Sequence, residues 1–248
     1  GDSFPVPPAQ LQQAADKVGL LDLRDIAVIL AADRQVSVPA LRHAFARAEG
    51  DAKLSYARML GVLGDGAGAK MMIEALSKTQ WDAGENVEPA GNKGSHYSPV
   101  DLLVIAMGMS GDKAAVAPIL EKTVQLDARS AYSHHRAVAM ALESLGDAKA
   151  APVLAALLRK PGMMGFATPT MDAAIARFGQ GSGRTTAYLN EALRELVLAR
   201  ALFRCGDHEG LGKRILQEYE RDLCGHLARH AQAVLGSSPA RGGPAANR

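Results

Sequence analysis

Residues 132–158 read YSHHRAVAMALESLGDAKAAPVLAALL, and this stretch decides the fold. Two runs of helix-forming residues are separated by Gly146-Asp147. Glycine readily adopts the left-handed conformation that ends a helix, and an aspartate side chain can cap the helix that follows. The stretch therefore predicts two antiparallel helices joined by a tight turn.

The same Gly-Asp pair recurs along the chain, each time after an apolar stretch. It stands at Gly64-Asp65, Gly111-Asp112, Gly146-Asp147 and Gly206-Asp207. Apolar residues lie eight, seven, five and four positions before each glycine, which is the spacing of one helical stripe. A second helical segment follows each turn, and no alternating pattern typical of a β-strand is present. We predict an all-α fold, an α-solenoid or α-α superhelix of HEAT-like two-helix repeats.

The repeat pattern also sets the expected boundaries. We predict an N-terminal extension over residues 1–19 and a HEAT-like repeat domain over residues 20–236, with loop insertions at 79–98 and 161–187. Residues 237–248, SSPARGGPAANR, lack apolar side chains to bury and should be disordered. Loops of this length inside a domain are often functional. They can equally well just cover a groove of the solenoid, and both interpretations stay open.

Local signals predict where several helices begin. Pro39 suits the first turn of the second helix in an early pair within residues 22–50. Ser98 and Asp101 have capping-box spacing around Pro99. Ser133 is a plausible N-cap for the helix that carries the paired histidines.

Composition limits the classes of function. The 248 residues carry a net charge of +2, and the basic residues form no arm or stripe, so nucleic acid is not expected as a partner. No apolar run is long enough to span a bilayer. Cys205 and Cys224 should lie on the order of 20 Å apart on two helices, so we predict free thiols. Free thiols favour the cytoplasm for a soluble chain, with export after removal of a signal peptide left open.

The paired histidines raise the question of a metal or catalytic site. His134 and His135 are adjacent on the predicted helix, so their imidazoles point about 100° apart and cannot easily bind one ion. A structural role is favoured, and a zinc site would need a further ligand such as His96. His226 and His230 have metal-ligand spacing, but no glutamate lies between them as in H-E-x-x-H, which favours a solvated helix.

Two glycine-rich stretches resemble nucleotide-binding motifs only in form. Residues 64–69, GDGAGA, match G-x-G-x-x-A, but a helix precedes them where the dinucleotide fingerprint requires a strand. Residues 179–185, GQGSGRT, lack the lysine of a phosphate-binding P-loop. We interpret the first as a hairpin turn and the second as a flexible loop.

Two long stretches carry a family resemblance. Residues 100–147, VDLLVIAMGMSGDKAAVAPILEKTVQLDARSAYSHHRAVAMALESLGD, resemble the C-terminal helical region of a bacterial group of FAD-dependent oxidoreductases, some of them labelled xanthan lyases. Residues 193–235, LRELVLARALFRCGDHEGLGKRILQEYERDLCGHLARHAQAVL, are similar to the closing segment of that region. With the Trp81 loop, the likeness covers residues 70–235. It implies HEAT-like repeats packed beside a flavin domain.

The residues of this chain do not include that flavin domain. No strand, glycine-rich turn and helix follow one another to hold the FAD pyrophosphate. The oxidoreductase activity of the family therefore does not carry over to these residues, and no catalytic residue is transferred. The resemblance implies a flavin partner in another chain or elsewhere in a longer protein.

The leading functional hypothesis is a non-catalytic scaffold for a protein partner or a flavin domain. If the first insertion and the N-terminus of the first helix in each pair converge on one edge, ten residues form the contact surface. These are Trp81, Asp82, Asn92, His96, Tyr97, His134, His135, Arg136, Arg204 and His208. We expect no catalytic residues, no bound cofactor or metal, and neither nucleic acid nor a membrane as partner. The alternative is a lyase-type or metal-dependent enzyme that acts on a carbohydrate or tetrapyrrole through the His96, His134 and His135 region.

Overall fold

The computed structural model describes residues 6–17, 26, 28–30, 32–82, 97–179 and 186–237. Within these residues every regular element is a helix, so the predicted all-α class is confirmed there. The α-helices are α1 (Pro8–Lys17), α2 (Arg34–Arg47), α3 (Gly50–Val62), α4 (Ala69–Lys78), α5 (Pro99–Met109), α6 (Val116–Val124), α7 (Tyr132–Leu145), α8 (Ala150–Leu158), α9 (Met171–Phe178), α10 (Thr186–Arg204), α11 (Leu211–Tyr219) and α12 (Gly225–Gly236). No helix among the described residues is both long and apolar enough to cross a membrane.

Seven of these helices pack in two layers. Helices α3, α5, α7 and α10 lie side by side in a first layer, in that order. Helices α4, α6 and α8 lie side by side in a second layer. The second layer packs on the first through contacts of α4 with α3 and α5, of α6 with α7, and of α8 with α10. We call the side of the first layer that faces away from the second layer the outer face.

Helices α5 and α7 run parallel and in register. Asp101 of α5 meets His134 of α7, with 2.6 Å between Oδ1 and Nδ1. Two helical turns further along the same face of α5, Gly108 lies against Ala141. A Cβ atom added to Gly108 would be 2.2 Å from the Cα atom of Ala141. Both contacts join residues 33 positions apart, so the two helices run in the same direction with a constant offset. The close approach requires glycine at position 108.

The Gly-Asp pairs form the turns that the sequence predicts. The four glycines adopt positive φ angles, namely 74° at Gly64, 73° at Gly111, 58° at Gly146 and 104° at Gly206. In each turn the aspartate carboxylate then accepts hydrogen bonds from backbone N–H groups that follow. Asp65 accepts from Ala67, Asp112 from Ala114, Asp147 from Lys149, and Asp207 from Gly212. The predicted turns are therefore confirmed. A positive φ angle and an aspartate cap each involve only residues close together in the sequence, so the sequence was sufficient to predict them.

Two apolar clusters form the core. The larger cluster extends from α3 to α12, and the smaller one joins α1, α2 and α3. Leu11, Ala14 and Ala15 of α1 are buried in the smaller cluster. Residues 1–19, which we predicted as an extension outside the repeat domain, thus contain a packed helix. The amphipathic spacing of Leu11, Ala14 and Ala15 is the signal that was missed.

Buried carboxylates attach the second insertion to α10 and to the segment that follows α11. The Glu195 carboxylate of α10 accepts the N–H groups of Gly165 and Phe166, both at 2.8 Å, and Asp222 accepts the N–H of Thr168 at 2.6 Å. Helix α9 lies within this insertion and buries none of its residues. Most of the first insertion (83–96), residues 180–185 of the second and positions 238–248 of the predicted tail lie outside the described residues.

The predicted helix starts have mixed outcomes. Ser98 and Asp101 form the predicted capping box, with reciprocal hydrogen bonds of 3.2 and 2.9 Å. The prediction for Pro39 was wrong: Asp33 caps α2, which begins at Arg34, and Pro39 lies inside the helix. The prediction for Ser133 was also wrong, because α7 already begins at Tyr132.

Candidate functional site

His134 lies at the centre of a polar cluster between α5, α7 and the start of the first insertion. Its Nδ1 atom is 2.6 Å from Oδ1 of Asp101, and its Nε2 atom is 3.0 Å from the backbone oxygen of Asp82. The Asp82 carboxylate is also near, at 3.6 Å from Nε2. Asp101 accepts further hydrogen bonds from the Ser98 N–H and from the Ser133 hydroxyl. His134 and Asp101 are both buried.

This arrangement stabilises a charged pair. Burial by itself disfavours both charges, but the hydrogen bonds from His134, Ser98 and Ser133 outweigh it and leave the pKa of Asp101 lowered. Burial likewise opposes a charge on His134, yet the hydrogen bonds to Asp101 and Asp82 leave its pKa raised. Since a backbone oxygen can only accept, the contact with Asp82 assigns a proton to Nε2, and the raised pKa of His134 favours a further proton on Nδ1, beside Asp101.

Trp81 covers the imidazole of His134 and ties the insertion to the second layer. The two rings are 4.5 Å apart between centroids and tilted by 32°. The indole N–H donates to the backbone oxygen of Lys122 in α6, at 3.1 Å, and the Lys122 ammonium donates to the backbone oxygen of Thr79. A cation against an aromatic face is favourable, most strongly for tryptophan.

The His134 cluster fits an anchor for the first insertion better than a reactive centre. A general base or a metal ligand needs a ring nitrogen with a free lone pair. Both ring nitrogens of His134 face protein oxygens, at 2.6 and 3.0 Å, and these oxygens occupy the positions that a metal ion or a substrate would take. The chemistry available to this residue is therefore to hold Trp81 and Asp82 against the helices.

His135 occupies a different environment from its neighbour. It is fully buried, and its Nδ1 atom is 3.0 Å from the backbone oxygen of Ala131. Its Nε2 atom has no hydrogen-bond partner among the described residues. Burial, reinforced by the charge of Arg194, lowers the pKa of His135 to about 4. A neutral imidazole below the surface does not reach a partner, so we leave His135 out of the contact surface considered below.

A row of partly exposed side chains runs along α7 on the outer face. Arg136, Met140 and Glu143 follow one another at helical spacing. The Arg136 guanidinium lies over the ring of Tyr97, at 4.8 Å from its centroid, and the Tyr97 hydroxyl donates to the sulfur of Met140 at 3.3 Å. Tyr97 thus joins the end of the first insertion to this row.

Glu143 connects the row to the next helix of the layer. Its carboxylate accepts hydrogen bonds from Arg200, at 2.8 Å, and from Arg204. Arg200 also donates to the imidazole of His230 in α12, at 3.4 Å. Burial and the two nearby arginines lower the pKa of His230. Two guanidinium groups therefore share one carboxylate, which leaves this end of the outer face positively charged.

The structure brings together part of the predicted contact set. Trp81, Asp82 and His134 touch one another, and Tyr97 touches Arg136. Arg204 lies further along the outer face, and His208 lies in the turn between α10 and α11, 3.7 Å from Glu209. The list also includes Asn92 and His96, which lie outside the described residues. Whether these residues contact a partner stays a prediction.

Sequence reasoning did not single out four residues that organise this region. These are Asp101, as the ion-pair partner of His134, and Met140, Glu143 and Arg200 of the outer face. Asp101 was predicted only as a helix cap. The i, i+4, i+7 spacing of Arg136, Met140 and Glu143 could have identified the row, but not which way it faces.

The remaining chemical candidates do not assemble into a site. No group of three or more histidine, cysteine or acidic side chains is arranged for a metal ion in the part of the chain that the structure describes. His226 lies 3.1 Å from the sulfur of Cys224, whereas His230 turns to Arg200. Both cysteines are free thiols, as predicted. Gly64 ends helix α3, so the GDGAGA stretch is a hairpin turn.

Comparison with known proteins adds no relative. The chain matches no protein-family model, no curated protein and no solved structure.

Proposed function

We propose that the chain is a HEAT-like repeat scaffold that binds a protein partner, and that this partner is a flavin-containing oxidoreductase domain. Each repeat would be one helix of the first layer, its Gly-Asp turn, and one helix of the second layer. Stacked repeats of this kind present an extended surface on which a partner can bind.

The observation that carries the proposal is the register of α5 and α7. Two contacts, each between residues 33 positions apart, are what a repeated unit packed against its copy would give. The contacts of α7 with α10 run in the same direction, because Arg194 lies near His135, and Cys205 donates to the backbone oxygen of Leu142. The first-layer helices are therefore parallel from α5 to α10.

The placement of the polar residues also supports a binding role over a catalytic one. His134 and Asp101 bind each other beneath Trp81, and both ring nitrogens face protein oxygens, so neither nitrogen is open to a metal ion or a substrate. The exposed groups of the outer face are guanidinium groups, an aromatic ring and thioethers, which are side chains enriched at protein interfaces. The enzyme alternative depends on the His96, His134 and His135 region. His96 lies outside the described residues, and the geometry of His134 and His135 lends the alternative no support.

The identity of the partner rests on the family resemblance of residues 100–147 and 193–235. A helical region of this kind packs beside a flavin domain in the proteins that it resembles. If the same partnership holds here, the flavin domain belongs to another chain or to another part of a longer protein. The interface would then include the outer face near Tyr97 and Arg136.

A direct titration tests the proposal. The chain, labelled with a fluorophore, is titrated with a purified flavin domain of the resembling family from which the helical region has been removed. We expect saturable binding by fluorescence anisotropy, and we expect Arg136→Glu to weaken it at least tenfold. Lys70→Glu, an exposed charge reversal on α4 in the second layer, is the matched control and should bind as the unaltered chain does.

Two results would count against the proposal. If no binding is detected up to high micromolar flavin domain, the partner is wrong. If Lys70→Glu weakens binding as much as Arg136→Glu, the outer face is not the interface. Circular dichroism and thermal denaturation of each variant ensure that a loss of binding is not a loss of folding.

A further inference from the structure

We infer that the outer face of α3, α5 and α7 is a docking surface for an acidic amphipathic helix of the protein partner. This inference rests on the scaffold function proposed above and adds the chemistry of the segment that binds. It is carried by an apolar strip across three helices, together with cations that border the strip and have no matching carboxylates among the described residues.

The apolar strip consists of Val62, Leu102, Met109 and Met140. Leu102 and Met109 are 40% and 39% exposed although all residues between them on α5 are buried. Val62 of α3 is 38% exposed, and Met140 of α7 is partly exposed. Helix α5 lies between α3 and α7 and has α4 behind it, so its exposed residues can only point to the outer face. A large side chain left exposed on three neighbouring helices is typical of an interaction site.

The register of the helices places arginines on both sides of the strip. Gly61 faces Ala106, and Asp101 faces His134. This register puts Arg58 of α3 and Arg136 of α7 level with Leu102, one on each side. Neither arginine forms an ion pair among the described residues; burial alone lowers the pKa of Arg58, and Arg136 lies over Tyr97.

The charges of the whole outer face add to this asymmetry. Beyond α7, Arg200 and Arg204 share the single carboxylate of Glu143. Among the described residues, the other carboxylate on this side is Asp51, in the first turn of α3. Four guanidinium groups of the described outer face thus face two carboxylates, although the complete chain is nearly neutral at +2. A partner segment with carboxylates on either side of an apolar stripe would complement this pattern.

A helix fits this surface better than an extended strand. No strand is present in the part of the chain that is described, so an extended peptide would find no sheet edge for its backbone groups. A helix satisfies its own backbone and binds through a stripe of apolar side chains. Helices in a layer lie about 8–10 Å apart, so the strip from α3 to α7 spans roughly 20 Å. This corresponds to about 13 residues of partner helix at 1.5 Å per residue.

The test uses two synthetic peptides of about 20 residues that are long enough to form helices. Both have the same leucine stripe, and the flanking positions are glutamate in one and lysine in the other. Helicity is matched by circular dichroism, and binding to the chain is measured by fluorescence anisotropy. We expect the acidic peptide to bind at least tenfold more tightly than the basic one, with an affinity that falls as salt is added.

Variants of the surface make the result specific. Met109→Glu should lower the affinity for the acidic peptide at least tenfold, because it places a carboxylate on the apolar strip. Arg136→Glu should reduce the preference for the acidic over the basic peptide at least tenfold. Val124→Glu is the matched control, since Val124 is 60% exposed at the end of α6 in the second layer. It should leave both affinities unchanged.

The contrary outcomes each overturn the inference. Equal affinity for the two peptides, or an affinity that Met109→Glu leaves unchanged, means that this strip is not the docking site. Binding to anionic lipid vesicles in place of the acidic peptide would make the surface a membrane contact. A dimer that Met109→Glu dissociates in sedimentation experiments would make it a contact between two copies of the chain.

Failure here can be told apart from failure of the scaffold proposal. If the acidic peptide binds and the flavin domain does not, the docking surface stands and the proposed partner is wrong. If the flavin domain binds and the acidic peptide does not compete with it, the partner stands and the docking chemistry is wrong.

Discussion

Replacing Gly108 with alanine tests how closely α5 and α7 pack. The added Cβ atom would lie 2.2 Å from Cα, 2.5 Å from Cβ and 2.8 Å from the backbone oxygen of Ala141. Carbon atoms in contact are normally about 3.5–4.0 Å apart, so the helices must separate by more than about 1 Å. Because the clash involves the backbone, no side chain can rotate to relieve it.

The size of the effect follows from two opposing contributions. Alanine is intrinsically better in a helix than glycine by about 1 kcal/mol. Overpacking a well-packed core costs about 1–3 kcal/mol, and a gap of 0.5–1 Å along the seam removes a quarter to a half of the dispersion energy of each contact there. We therefore expect Gly108→Ala to lower the free energy of unfolding by about 2 kcal/mol, which lowers Tm by about 4–8 °C in a domain of this size.

The measurement is urea and thermal denaturation followed by circular dichroism. Gly236→Ala is the matched control, because Gly236 also lies in a helix but has nothing within 4 Å of an added Cβ atom. It should be neutral or slightly stabilising. If Gly108→Ala also proved neutral or stabilising, the close approach of α5 and α7 would be refuted, and the proposed repeat would lose its main support.

Three further predictions concern the histidines and the thiols. His134→Gln leaves the Asp101 carboxylate buried without its cation, so urea denaturation at pH 6 should show a loss of about 3–5 kcal/mol. That loss should shrink as pH rises through the raised pKa of His134, because its proton stabilises the fold only below that value; an equal loss at high pH would contradict the ion pair. The pH dependence from His135 has the opposite sign, because its pKa is lowered to about 4 in the folded chain. Between pH 7 and pH 4 the free energy of unfolding should fall by up to about 3 kcal/mol more in the unaltered chain than in His135→Phe. Parallel pH profiles of the two proteins would contradict this. In the folded chain a thiol reagent should modify the half-buried Cys224 and spare the buried Cys205, whose pKa is raised to about 12 mainly by burial; equal reaction rates would contradict the burial of Cys205.

The candidate site was only partly accessible to sequence reasoning. The sequence argued against His134 and His135 as joint ligands of one metal ion, because neighbouring side chains on a helix diverge. It did not indicate that one of them is a charged partner of Asp101 and the other a neutral, buried imidazole. That difference depends on which seam each ring enters, between α7 and α5 or between α7 and α10, and the seams exist only once the helices are packed.

The same limit applies to the helix starts and the outer face. Serine is a common N-cap residue, but the Ser133 hydroxyl donates a hydrogen bond to Asp101 on a neighbouring helix instead. Arg58 and Arg136 are 78 residues apart in the chain, and only the register of three parallel helices places them on either side of Leu102. Long-range pairs of this kind leave no local pattern.

The amino-acid sequence alone determined the features whose causes lie within a few residues of the chain. Left-handed glycines followed by capping aspartates mark the four turns, and the capping box of Ser98 and Asp101 starts α5, because such preferences arise from backbone sterics and short hydrogen bonds. Tertiary structure alone decided the protonation of the paired histidines, the attachment of the second insertion to Glu195, and the apolar strip bordered by arginines. Burial and charge are properties of the surroundings, and the surroundings of these residues come from helices that are distant in sequence.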